Sequence, residues 1–191
     1  YARFDGVAGT YVSTPDSAAN SVTGSMTIEV DADHSWSTND SLAGKWDGPT
    51  NQRSWFLDLA STKLRLNISS NGVSYGSPLS LTLPFSSGRH TVKAEFDAAA
   101  ETVTYYADGV QLGSAVAAGR SSIFNSSADV SIGAINTGTG GMVDGIIYSA
   151  KLYNGIGASK VLVNNFYPQP YLQGDTNFTS VTGELWTLQG N

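Results

Sequence analysis

Cysteine is absent from this 191-residue chain. That excludes disulfide staples and thiolate metal sites, and it leaves the redox compartment open. Histidine is almost absent as well. His34 and His90 are the whole complement, which makes a zinc site improbable without thiolates. Charged residues are only 14% of the chain, and ten Lys and Arg against sixteen Asp and Glu leave a net charge of −6. The basic residues are scattered, with no run among them. This excludes nucleic acid as a partner, because affinity for phosphate backbones comes from clustered cations. No apolar run approaches the roughly 20 residues of a spanning helix, so no membrane span is expected. No signal peptide is visible. Helical periodicity is nearly missing too. Tyr1 has no Met before it and already begins a strand pattern, so we expect a processed chain or a domain cut from a longer one.

What the chain does have is period-two alternation. In residues 88–113, Val92, Ala94 and Phe96 alternate with Thr91, Lys93 and Glu95, and Val103 and Tyr105 alternate with Thr104 and Tyr106. Such alternation marks strands with one buried face. A reversal falls at 97–100, and Asp108-Gly109 supplies the positive φ angles of a two-residue hairpin turn. Three antiparallel strands in a row are therefore expected here. Met26, Ile28, Val30 and Ala32 likewise alternate with Thr27, Glu29, Asp31 and Asp33. Further strands are expected at 1–7, 10–13, 42–47, 52–60, 63–68, 73–75, 130–134, 142–147 and 148–153. The stretch 79–83 lies between Pro78 and Pro84, which places it at an edge or a strand terminus. Residues 115–125 read mostly as loop. About a dozen strands are too many for a seven-strand immunoglobulin module and fit an all-β, two-sheet antiparallel jelly roll. We expect a sandwich over 1–165 and a C-terminal strand or hairpin tail over 166–191. That tail opens with Tyr-Pro-Gln-Pro, carries Trp186 as an anchor, and packs on the sandwich or on a partner.

Several pieces together resemble the laminin-G-like, concanavalin A-like jelly-roll superfamily. They are RFDGVAGTYVSTPDS, TIEVDA, LAGKWDGPTNQRSWFLDL, GRHTVKAEFDAAAETVTYYADGVQLG and VDGIIYSAKLYNG, in the family's order from residue 2 to residue 155. The departures are Ala8-Gly9-Thr10 in place of an acidic pair, Arg89 in place of a Trp, and Asp31 in place of a Trp. The KW…NQRSW pair and the C-terminal FTSVTGELWTLQGN resemble modules of bacteriophage virion proteins, which serve as decoration, fibre or adhesion units. The resemblance implies a surface module, with glycans and other virion or cell-surface proteins as partners and a homo-oligomer as one form.

Three groups of residues carry candidate chemistry. Glu29, Asp31 and Asp33 form an acidic strip on one strand face. The same jelly roll hosts laminarinase-type glycoside hydrolases, whose catalytic strand reads Glu-x-Asp-x-Glu. Strand residues four apart have Cα atoms ~13 Å apart. Two leaning Glu side chains then approach the ~5 Å carboxyl gap of a retaining enzyme. Asp33 in place of the second Glu withdraws its carboxyl by ~1.5 Å, so the pair misses. Catalysis by Glu29 and Asp33 is the alternative reading, and ligand binding by the strip with Trp36 is the favoured one. Trp36 is expected in a polar loop, with its indole free to stack on a sugar ring. Trp46 and Trp55 lie on patterned strands and are expected in the core. Asp5 and Asp144 could hold a structural Ca²⁺ at a sandwich edge, since such jelly rolls often carry one. Otherwise they are turn aspartates bonding to local N–H groups. His90 reads as a packed or hydrogen-bonded residue and not as a catalyst. The Asn-x-Ser/Thr triplets at Asn39, Asn67, Asn125 and Asn177 are chance matches in a chain this rich in Ser and Thr.

Overall fold

The computed structural model describes residues 1–168 and 176–190. The alternating segments become strands β1 (Ala2–Asp5), β2 (Tyr11–Thr14), β3 (Met26–Ser35), β4 (Ser41–Asp47), β5 (Gln52–Ala60) and β6 (Lys63–Gly72). After them come β7 (Tyr75–Gly76), β8 (Leu79–Thr82), β9 (Ser87–Asp97), β10 (Thr102–Ala107), β11 (Val110–Gln111) and β12 (Val116–Ala117). The last are β13 (Val130–Ile132), β14 (Asp144–Asn154), β15 (Val161–Phe166), β16 (Asn177–Thr179) and β17 (Leu185–Gln189). A 3₁₀ turn at Gly157–Ser159 is the only helix among the described residues.

The strands form two antiparallel sheets. The first runs β1-β14-β3-β9-β10-β11, with β12 on β10 and β15 on β14. The second runs β16-β17-β2-β13-β4-β5-β6-β7, with β8 on β6. Each sheet turns one apolar face to the other, which is the two-sheet sandwich of a jelly roll. Met26, Ile28, Val30 and Ala32 of β3 meet Leu57, Leu59, Leu64 and Leu66 of the second sheet in one continuous core. Tyr105 ties the layers together. From β10 its hydroxyl donates to the Pro78 carbonyl at 2.6 Å and accepts from the Leu66 N–H at 2.9 Å. Burial drives its phenol pKa well above the ordinary value.

The 88–113 meander forms as the alternation requires, with Tyr105 opposite Ala94 and Val103 opposite Phe96. Asp108 and Gly109 take φ of 48° and 79°, the pair of positive values that a type I′ turn needs. The stretch 79–83 yields β8, which among the described residues pairs only with β6.

Two details correct the sequence reading. The expected strands at 142–147 and 148–153 are one strand, β14. Its register against β3 shifts between Ile147 and Ser149. A bulge at Tyr148 inserts one residue and flips the inside/outside phase, so the alternation breaks while the strand continues. Residues 161–166, given no element from sequence, form β15 along the far half of β14. Their run Val-Leu-Val-Asn-Asn-Phe has no clean period, and only the neighbouring strand decides its conformation.

In the tail, β16 and β17 form a hairpin whose β17 lies along β2, with Leu188 opposite Val12. Trp186 is buried there against Phe166 and Phe178, at ring distances of 5.2 and 6.2 Å. Part of the Tyr-Pro-Gln-Pro opening lies outside the described residues. No helix among the described residues is long and apolar enough to cross a membrane.

Candidate functional site

The acidic strip lies on the solvent face of the first sheet, and cations from both neighbouring strands meet it. Glu29 stands opposite Lys93 on β9 and Lys151 on β14, and it accepts from Lys151 Nζ at 3.3 Å. Asp31 receives Arg89 Nε at 2.9 Å and Nη2 at 2.7 Å in a two-pronged pair. The same guanidinium lies 3.7 Å above the Tyr148 ring. Lys93 repeats the pattern, bonding Glu95 at 2.9 Å while sitting 3.7 Å over Tyr106. Asp33 stands opposite Arg89. The strip is thus part of a lattice of carboxylates, cations and tyrosines on an open sheet face, with Asp31 already held by a side chain of its own protein.

Trp36 does not join that strip. It is 0% exposed, which overturns its expected role as a free loop platform. The chain leaves β3 at Ser35 and turns inward. There the Trp36 indole N–H donates to the Gly88 carbonyl at 2.8 Å, and its ring packs edge-on to Phe85 and His34. The polar residues around Trp36 in sequence hide a buried side chain. His90 stacks on Phe85 at 3.6 Å and bonds Asp108 at 2.8 Å, so it is both packed and hydrogen-bonded.

Asp5 and Asp144 are brought together as directly opposed residues of β1 and β14. Asp5 also accepts the Val7 N–H at 3.1 Å, as a turn aspartate does. The pair is two carboxylates, against the six to eight oxygens that calcium takes. Among the described residues no three His, Asp or Glu side chains gather where they could hold a metal ion. Any ion here would need main-chain carbonyls and water for the rest of its shell.

A different site lies on the outer face of the second sheet, where β2, β13 and β4 run side by side. A cavity of ≈ 220 Å³ is lined by Tyr11, Trp46, Asp47, Asp129, Ser131 and Thr137, with Ser127 and Ala128. Trp46 (6% exposed) is braced edge-on by Phe56 at 4.7 Å and Tyr75 at 5.1 Å, so it forms a rigid wall. The loop between β13 and β14 closes the rim. Asn136 anchors it by accepting the Gly48 N–H at 2.8 Å and donating its own N–H to the Trp46 carbonyl. Asn136, Thr137 and Gly138 follow one another at φ of 52°, 54° and 84°. For β-branched Thr137 that conformation is costly, and surrounding structure must hold it. Gly138 presses on the Tyr11 ring so closely that an added Cβ would lie 2.6 Å from it.

The electrostatics of the cavity are one-sided. Burial raises the Asp129 carboxyl above the ordinary value, while the Asp16 N–H and Lys45 pull it back. Burial and then the Asp129 charge raise the Tyr11 phenol, and both groups line the recess. Beneath them Lys45 is fully buried, donating to Asp16, to Asn20 Oδ1 at 3.1 Å and to the Ala128 carbonyl at 3.0 Å. Burial lowers its pKa, against the opposing pull of Asp16. Sequence reading missed this site because its residues lie at 11, 46–47, 127–131 and 137. No local signal joins them. Trp46 was expected in the core, and it is indeed nearly buried, yet one side of it lines the cavity.

No protein-family model matches the chain, and no curated protein matches it. Solved structures do share its fold. A candidate carbohydrate-binding protein from Bacteroides ovatus matches with a TM-score of 0.69 at 12% identity, over 96% of this chain and 58% of its own. Domains LG4-5 of the mouse laminin α1 chain match at 0.61 and 14% identity, over 86% of this chain and 46% of theirs. The CBM40 of the Ruminococcus gnavus IT-sialidase, solved with α2,3-sialyllactose, matches at 0.60 and 12% identity, over 83% of this chain and 92% of its own. The chain therefore has the laminin-G-like, concanavalin A-like jelly-roll fold. It spans little more than half of the Bacteroides chain and less than half of the laminin one.

Proposed function

We propose that this chain is a non-catalytic glycan-binding module of an extracellular or virion surface. On this reading, one sugar residue sits in the cavity of Tyr11, Trp46, Asp47 and Asp129. The observation that carries the proposal is the cavity itself, a recess with two aromatic walls and two carboxylates on a rigid sheet. At ≈ 220 Å³ it is smaller than the roughly 300–1,000 Å³ of drug-sized sites, a size that suits a single ring. The C–H face of a pyranose packs on an aromatic surface, and its hydroxyls donate to carboxylate oxygens. Carbohydrate binding among proteins of the same fold supports the reading. Attachment to other virion or cell-surface proteins, and self-association, belong to the same proposal, with the C-terminal hairpin as the attachment element.

A glycan array with the intact protein tests the reading. Binding to at least one glycan is expected, with loss of about tenfold or more in affinity for Tyr11→Ala, and with Asp33→Ala in the acidic strip unchanged. If Asp33→Ala abolishes binding while Tyr11→Ala does not, the strip is the site and the cavity is not. The hydrolytic alternative through Glu29 and Asp33 predicts reducing-sugar release from β-glucans that vanishes in Glu29→Gln. On our reading that assay stays flat for both proteins.

A further inference from the structure

Resting on the glycan-binding reading, and going beyond it to the class of sugar, we infer that the cavity selects uncharged sugar residues and rejects acidic ones. Asp47 and Asp129 both line the recess. The nearby Asp16 carboxylate is paired with Lys45, so Asp47 and Asp129 carry the negative charge of the recess. None of the lining residues is a cation. Two basic side chains close by, Lys45 and Arg53, are turned to other work. Lys45 is fully buried below the floor, held by Asp16, Asn20 and the Ala128 carbonyl. Arg53 donates to Asn51 Oδ1 at 2.6 Å and to the carbonyls of Gly72 and Val73 at 3.3 and 3.2 Å.

A uronic or sialic acid in this recess would bring its carboxylate against Asp47 and Asp129, with no guanidinium or ammonium to receive it. Like charges about 5 Å apart at a partly solvated surface disfavour binding by roughly tenfold or more. A neutral hexose meets the opposite situation, because each hydroxyl is a donor for an acceptor that is already in place. The net charge of −6 over the whole chain adds to the effect for any anionic ligand.

The test compares matched pairs on the intact protein, each a neutral oligosaccharide and its sialylated or uronate counterpart, by calorimetry or array titration at low salt. The neutral member is expected to bind at least about tenfold tighter. In the double variant Asp47→Asn, Asp129→Asn the gap should close to within a few-fold, and 1 M salt should narrow it in the wild type. Asp129→Lys, at the more exposed of the two positions, should bring the acidic member up to or above the neutral one. Equal or tighter binding of acidic members by the wild type would overturn the inference while leaving the glycan-binding reading intact. So would a preference that survives both the double variant and high salt, since that would be shape and not charge. Binding of no glycan at all removes the underlying reading and this inference with it.

Discussion

At the scale of single residues, position in the fold decides what each aromatic and each carboxyl can do. Trp36 is a core residue, so Trp36→Ala should cost about 3–5 kcal/mol of unfolding free energy, as loss of a buried large aromatic does. Urea denaturation would show this directly, and a change below about 1 kcal/mol would contradict the buried, Gly88-bonded indole. Asp40 offers a pH signature. Burial raises its carboxyl pKa, while Thr38 and His34 partly offset the shift. A raised folded-state pKa means the native protein holds that proton more tightly than the unfolded chain. Stability from this group is complete below the unfolded value of about 4 and is lost as pH rises through the folded value. Asp40→Asn should therefore gain on the wild type between pH 4 and pH 7, read as the difference of two melting curves. A gain that shrinks over that interval would reverse the sign and refute the assignment.

At the scale of elements, the C-terminal hairpin and β2 act as one unit. β17 pairs with β2 from Tyr11 to Ser13, and Tyr11 is also a wall of the cavity. Trp186→Ala should loosen the hairpin, raising hydrogen exchange at the amides of residues 11–14, and should weaken glycan binding without any contact to the sugar. Unchanged protection at those amides would separate the hairpin from the site. Elements also mark where sequence reading ended. β3, β9 and β10 are legible because each keeps alternation over most of its length, and the two-residue β11 follows from the Asp108-Gly109 turn. β14 reads as two strands because the bulge at Tyr148 breaks that alternation. β15 carries no such signal, because it takes its conformation from its pairing with β14.

At the scale of the whole molecule, two sheets close over one core and leave function to the outer faces and rims. The opposed Asp5 and Asp144 are the one place where a structural ion was anticipated. A calcium ion bridging β1 and β14 should raise the melting temperature in millimolar Ca²⁺ over that in EDTA by several degrees. Coincident melts would leave the pair as ordinary turn aspartates. The first sheet shows a mosaic of paired charges and tyrosines, whereas the second shows a recess lined by two carboxylates and no cation. That contrast is why the proposed recognition site lies on the second sheet.

The amino-acid sequence by itself determined the all-β class, the inward set Met26, Ile28, Val30 and Ala32, the Asp108-Gly109 turn and the burial of Trp46 and Trp55. Each of these follows from side-chain period or from local φ preference, which act over a few residues. The tertiary structure alone decided that Trp36 is hidden, that Asp31 is claimed by Arg89 and that Tyr11, Trp46, Asp47 and Asp129 share one cavity. Those outcomes depend on which strands lie side by side, and strand order is settled by packing between distant segments and not by any short-range pattern.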